Sequence, residues 1–310
     1  MTSMDAPIER TPESMRQTRF AMRLSLIFGV FMLIGKGGAY LATGSAAILS
    51  DAAESVVHVL AVSFAAYSLW LSTRPASREF HYGYERISFF SAGFEGAMIC
   101  LAAFTIIVTA IQKWMAGLHL DRLGFGALVV LAAAIINAAL GLYLVWAGKK
   151  HRSIILEANG KHVLTDSWTS FGVVGGLCLV LLTGWLPFDP IFAIAVACNI
   201  LWSGGKLVWR SAAGLMDRAD PEVAAALSKK LDELCRELGV EYHQLRFRDS
   251  GYRIQVEVHL LFPFQTQLGE AHRIATAIEE RLPVELGIPA EVITHLEALE
   301  DHQAVHRAHH

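Results

Sequence analysis

Six long apolar stretches, separated by short polar segments, occupy the first two thirds of this 310-residue chain. They cover about 19–42, 45–73, 87–112, 123–147, 158–184 and 187–208, and each reaches the roughly 20 residues that a helix needs to cross a bilayer. The pattern predicts six transmembrane helices. After about Met216 it changes abruptly. Asp220-Pro221-Glu222 opens an amphipathic helix over 220–238, and alternating segments at 242–248 and 252–261 are joined by Asp249-Ser250-Gly251, a hairpin signal. A second helix over 268–282 and a last strand over 290–296 complete an α-β-β-α-β order. That order predicts a small α+β domain of ferredoxin-like, metallochaperone-like form. The expected organisation is a flexible N-terminal segment over 1–17, a six-helix membrane domain over 18–210, the α+β domain over 211–298 and a His-rich tail over 299–310.

Composition agrees with the pattern. Hydrophobic residues make up 54% of the chain and charged residues 18%, too apolar for an ordinary soluble protein. A formal net charge of -3 gives no support to nucleic-acid binding. Four scattered cysteines without a CxxC pair support neither a disulfide framework nor a thiolate metal site. Residues 1–17 lack the basic start and short apolar core of a signal peptide. Basic residues flank the starts of spans one, three and five and the ends of spans two, four and six: Arg16, Arg19, Arg23, Arg74, Arg78, Arg86, Lys149, Lys150, Arg152, Lys161, Lys206, Arg210 and Arg218. Between spans three and four stand only Lys113 and Arg122. This bias predicts a multi-pass protein of the bacterial inner (plasma) membrane with both termini cytoplasmic.

Ionisable residues inside the spans carry the chemistry. Asp51, Glu54 and His58 share one face of span two; Asn159, His162 and Asp166 share one face of span five. Such groups are costly in hydrocarbon, so they pair, face water or bind an ion. Ion pairing between helices, a proton relay and metal ligation all meet that demand. Two ladders of equal spacing favour metal ligation, because two i, i+4 pairs supply the four ligands a zinc-like ion prefers. Glu95 in span three reads as a hydrogen-bonded packing residue, with proton acceptance as the alternative. Lys36 reads as a snorkelling side chain, and Asn137 and Asn199 as cross-helix hydrogen-bonding amides. Gly35, Gly37, Gly38, Gly172, Gly175 and Gly176 are expected at close helix contacts.

Taken together, the six spans, the span-two ligand pair, His-xxx-Asp on span five and the terminal α+β domain resemble the cation diffusion facilitator family over roughly residues 18–298. Supporting stretches are SAAILSD at 45–51, FHYGYER at 80–86 and HVLTDSWTS at 162–170. The resemblance implies a homodimeric exporter of divalent metal in exchange for protons, and not an enzyme. It implies a transport site of Glu54, His58, His162 and Asp166, with Asp51 supporting a ligand from one turn away. It further implies a cytoplasmic metal site of His243, His259, His272, His295 and Glu297, where relatives often carry Asp at the last position. Arg86 and Asp217 match an ion pair that holds the dimer in register. A loop site known in relatives is expected to be missing, since Phe80 and Tyr84 replace histidines and leave only His81.

Span two departs from the family's common zinc pattern in carrying Glu-xxx-His. Two imidazoles and two carboxylates suit Zn²⁺ first, but also Fe²⁺, Co²⁺, Ni²⁺, Mn²⁺ and Cd²⁺. Rival readings are a membrane metal sensor without transport, an intramembrane metalloenzyme, which lacks an HExxH motif, and a channel, for which four strong ligands bind too tightly. The tail residues His302, His306, His309 and His310 are metal-capable but expected to be disordered.

Overall fold

Backbone amides in hydrocarbon must find partners within their own segment, so apolar stretches of this length fold as helices. In the computed structural model, which describes residues 12–43, 46–116 and 125–300, these are α1 (Pro12–Thr43), α2 (Ala46–Ser72), α3 (Ile87–Ala116), α4 (Phe125–Lys150), α5 (Ile154–Thr183) and α6 (Phe188–Leu215). Large apolar side chains such as Phe31, Leu101, Leu142 and Trp202 are exposed, which suits lipid rather than water. Arg74 lies over the Trp70 ring, Lys150 over Trp146 and Lys206 over Trp202, the amphipathic pairing expected near a membrane interface.

The chain divides into two compact units, one spanning Glu13–Ala212 and the other holding the described residues from Ala213 onward. In the first, α5 belongs to two apolar clusters. Ile155, Leu156 and Val163 pack with Met22 of α1, Val62 and Leu69 of α2 and Leu144 of α4. Ile154 and Ala158 pack with Phe89 and Ile99 of α3 and Ile200 and Leu207 of α6. The ionisable rungs of α5 therefore lie where α2 and α3 both approach it. Asn159 pins α5 to α1 by donating to Ser25 Oγ at 2.8 Å. Glu157, buried near the start of α5, accepts from Arg210 of α6 at 2.8 Å and lies 2.9 Å from Lys161. Two basic residues counted above as orientation signals are thus also engaged in an ion-pair network.

Glycine sets the closest helix approach. A Cβ at Gly148 of α4 would stand 2.5 Å from the Glu157 backbone nitrogen, and one at Gly160 of α5 would stand 2.7 Å from the Val145 nitrogen. Gly172 and Gly175 face Val196 and Phe192 of α6, as expected. Gly35 and Gly38 have nothing within 4 Å among the described residues, so the packing role assigned to them is not seen. Gly37 and Gly176 lie outside the described surroundings. Asn137 and Asn199 make no cross-helix hydrogen bond among the described residues; Asn159 holds that role instead.

The second unit contains α7 (Pro221–Leu238), β1 (Glu241–Asp249), β2 (Ile254–Phe262), α8 (Leu268–Leu286) and β3 (Ala290–Ala298). Asp220 caps α7 by accepting from the Glu222 amide, Pro221 enters at the first turn, and Gly239 ends the helix at φ 68. The sheet order is β1-β2-β3, with β1 antiparallel and β3 parallel to β2. Leu227, Leu231 and Leu234 of α7 and Ala275, Ile278 and Leu282 of α8 pack against Ile254, Val256, Val258 and Leu260 of β2. Helix α8 runs through Pro283, one turn past the expected end, because Leu286 and Ile288 pack on that core and reward the extra turn.

Replacing Gly148 by Ala drives a methyl into the backbone of α5. Thermal unfolding in detergent should show a loss of about 1–3 kcal/mol. Gly35→Ala, which meets nothing within 4 Å among the described residues, should be neutral or gain up to about 1 kcal/mol of helix propensity.

Candidate metal centres

Helical spacing places His162 and Asp166 on one face of α5, one turn apart. His58 arrives from α2. Its ring stacks on that of His162, with centroids 5.0 Å apart and planes 17° from parallel. His58 Nδ1 lies 3.7 Å from Asp166 Oδ2, and one ligand atom from each of His58, His162 and Asp166 falls within 4.8 Å of the others. Ligands sharing one zinc-like ion at bonds of about 2 Å stand about 3–4 Å apart, so these three atoms lie near the spacing that one ion would require. Gly29 of α1 gives His58 its place, since a Cβ there would come within 3.3 Å of the imidazole Cδ2. The three residues are thus brought together from two helices. Glu54 sits on α2 one turn before His58, but its side chain, with those of Asp51 and Lys36, lies outside the described residues.

Glu95 does not fit its expected role. It is fully buried on α3, yet neither carboxylate oxygen has a hydrogen-bond partner among the described residues, so no hydrogen bond secures it as a packing residue. Its Oε2 stands 3.7 Å from Nδ1 of His162. The sequence carried a signal for this. Ala92, Ile99 and Ala103 mark the buried face of α3, and Glu95 falls on that same face by helical spacing.

The soluble unit holds a second cluster. His243 of β1 pairs with His259 of β2, which pairs with His295 of β3, so three imidazoles stand in one row across the sheet. Adjacent ring centroids are 5.0 and 4.8 Å apart. Glu297, two residues beyond His295 on the same face, hydrogen-bonds His243 Nε2 at 2.9 Å and His259 Nδ1 at 2.7 Å. It stands 3.6 Å from His295 Nε2. His243, His259 and Glu297 form a metal-capable set, with His295 at its edge. His272 lies exposed on α8 and outside that set. Burial alone would raise the Glu297 pKa, but the hydrogen bonds from His243 and His259 and their charge outweigh it and hold the carboxyl at about 2.

A bulge aims His243. The β1–β2 register shifts between His243 and Arg246, and Gln244 adopts φ 49. Before the shift Tyr242 joins the core; after it Leu245 and Phe247 do. Without the bulge, strict alternation would put His243 on the same face as those two core residues.

Elsewhere, His81 hydrogen-bonds the Arg78 carbonyl at 2.9 Å in the loop after α2, and the Phe80 and Tyr84 rings pack 4.8 Å apart. Arg86 and Asp217 fall in separate compact units. The tail histidines lie outside the described residues.

Comparison with known proteins follows the same division. Residues 22–216 match the cation efflux transmembrane domain model, and residues 221–299 match the cation efflux protein cytoplasmic domain model. An uncharacterized transporter of Synechocystis is 35% identical over 86% of both chains. The zinc transporter ZitB of Escherichia coli is 28% identical over 70% of this chain and 69% of its own. The cation-efflux pump FieF of Shewanella oneidensis is 27% identical over 89% and 93%.

Because the Glu297 carboxyl titrates near 2 in the folded chain rather than near 4.5, its contribution to stability is present above about pH 4.5 and lost as pH falls toward 2. Acid titration of the metal-free protein, followed by unfolding of the soluble unit, should show a shallower loss of stability over that window in Glu297→Gln. An unchanged slope would remove Glu297 as the linked group.

Proposed function

The chain belongs to the cation diffusion facilitator family, and from that premise we propose that it exports a divalent transition-metal cation, zinc first, in exchange for protons. It is a multi-pass membrane cation-efflux transporter and not an enzyme. The observation that carries the finer reading is the convergence of His58 on His162 and Asp166. Glu54, one turn from His58, is proposed as the fourth ligand, with Asp51 supporting it.

Neutral imidazole binds metal and its protonated form does not, so cation entry displaces protons and proton return releases the cation. A fixed site approached alternately from two sides converts that competition into antiport. Zinc is ranked first because two imidazoles with carboxylates suit it and because one relative, ZitB, is named a zinc transporter. Fe²⁺, Co²⁺, Ni²⁺, Mn²⁺ and Cd²⁺ remain the alternative substrates of the same ligand set.

The working unit is proposed to be a homodimer in the plasma (inner) membrane, with both termini cytoplasmic. The open sheet face bearing His243, His259, His295 and Glu297, joined by His272, is proposed to bind metal at the dimer interface, and Arg86 with Asp217 to hold it in register. The second cluster also favours metal sensing beside transport. A His162→Ala variant that loses flux while metal still raises the melting temperature of the soluble unit would separate the two roles.

Proteoliposomes loaded with Zn²⁺ and given a pH step should show flux that follows the proton gradient. Flux indifferent to the gradient rules out exchange. Metal analysis of the purified protein beside Glu54→Ala should show selective loss of the physiological ion, and an unchanged metal content removes Glu54 from the site.

A further inference from the structure

Export as proposed leaves Glu95 without a role. Its carboxylate is fully buried on α3, and both oxygens lack a hydrogen-bond partner among the described residues. Nδ1 of His162 is buried and lacks one as well. These two groups face each other at 3.7 Å. A buried polar group left unsatisfied costs about 1–3 kcal/mol, and more when charged, so a small shift that closes this gap is strongly favoured.

Position distinguishes Glu95 from a further metal ligand. It is absent from the set in which His58, His162 and Asp166 place their ligand atoms within 4.8 Å of one another. It comes from α3, whereas the stacked His58 ring comes from α2. An imidazole offers two nitrogens, and the hydrogen bond made by one decides which is left for a metal. Metal-bound histidines commonly donate their second N–H to a carboxylate, which fixes the ring and strengthens the ligand.

We infer that Glu95 is a positioning residue of the transport site: it accepts the Nδ1–H of His162 and so presents Nε2 to the transported cation. The inference rests on the export reading and deepens it. It accounts for a carboxylate in the bundle interior that is neither solvated nor among the clustered ligands.

The test uses the full-length protein in proteoliposomes with Zn²⁺, comparing wild type, Glu95→Gln, Glu95→Leu and His162→Ala. Gln keeps an accepting oxygen of equal reach; Leu keeps similar bulk without an acceptor. Glu95→Leu should raise the half-saturating Zn²⁺ concentration about 10- to 100-fold while the maximal rate changes less, and Glu95→Gln should raise it less than about tenfold. In protein loaded with Cd²⁺ and isotopically labelled at histidine nitrogen, NMR coupling to the bound metal should appear at Nε2 of His162 in wild type and in Glu95→Gln. Coupling at Nδ1 in wild type overturns the inference. So does an unchanged half-saturation in both Glu95 variants, and so does equal impairment of both, which would assign the effect to charge rather than to an accepting oxygen. Absence of Zn²⁺ transport by wild type instead defeats the zinc reading, and normal transport by His162→Ala defeats the transport site on which the inference rests.

Discussion

Ionisable side chains buried among apolar helices must find partners, and the membrane unit is arranged around that demand. Glu95 is fully buried and His162 nearly so, while His58 and Asp166 are partly exposed, and each stands against another: imidazole on imidazole, imidazole beside carboxylate. A group of this kind is costly while empty. The proposed export draws on that same constraint, with cation binding and protonation as alternative ways to relieve it.

Such a cluster needs helices held closely enough that a side chain from one reaches the next. Glycine supplies this on α4 and α5, where backbones meet at Gly148 and Gly160 without intervening side chains. With α5 embedded between two apolar clusters, its face at His162 and Asp166 meets α2 and α3. Polar pins complete the arrangement: Asn159 to Ser25 on one side and Glu157 to Arg210 on the other. Each occupies a position where an unpaired polar group would be destabilising, so each fixes helix rotation as well as distance.

The soluble unit solves a related problem with different geometry. A strand alternates its faces every residue, so a row of metal-capable side chains and a continuous apolar core compete for the same register. The bulge at Gln244 resolves the conflict by changing parity within β1, keeping Leu245 and Phe247 in the core while His243 joins His259 on the open face. Glu297 then draws two imidazoles together through direct hydrogen bonds.

Much of this was legible from residue order alone. Span length and hydropathy determine that the first part of the chain forms membrane helices, since hydrocarbon admits little else, and periodicity determines the α-β-β-α-β order that follows. Fixed helical spacing determines that His162 and Asp166 share a face. Tertiary structure decided what spacing within one element does not contain: that His58 of α2 stacks on His162, that Glu95 of α3 addresses the same ring, and that Asn159 turns to α1. It decided as well that His243 points away from the core, because a single inserted residue inverts strand parity, so that Tyr242 before it and Leu245 and Phe247 after it all join the core. Local rules set which face a residue occupies; only the packing of separate elements sets what that face meets.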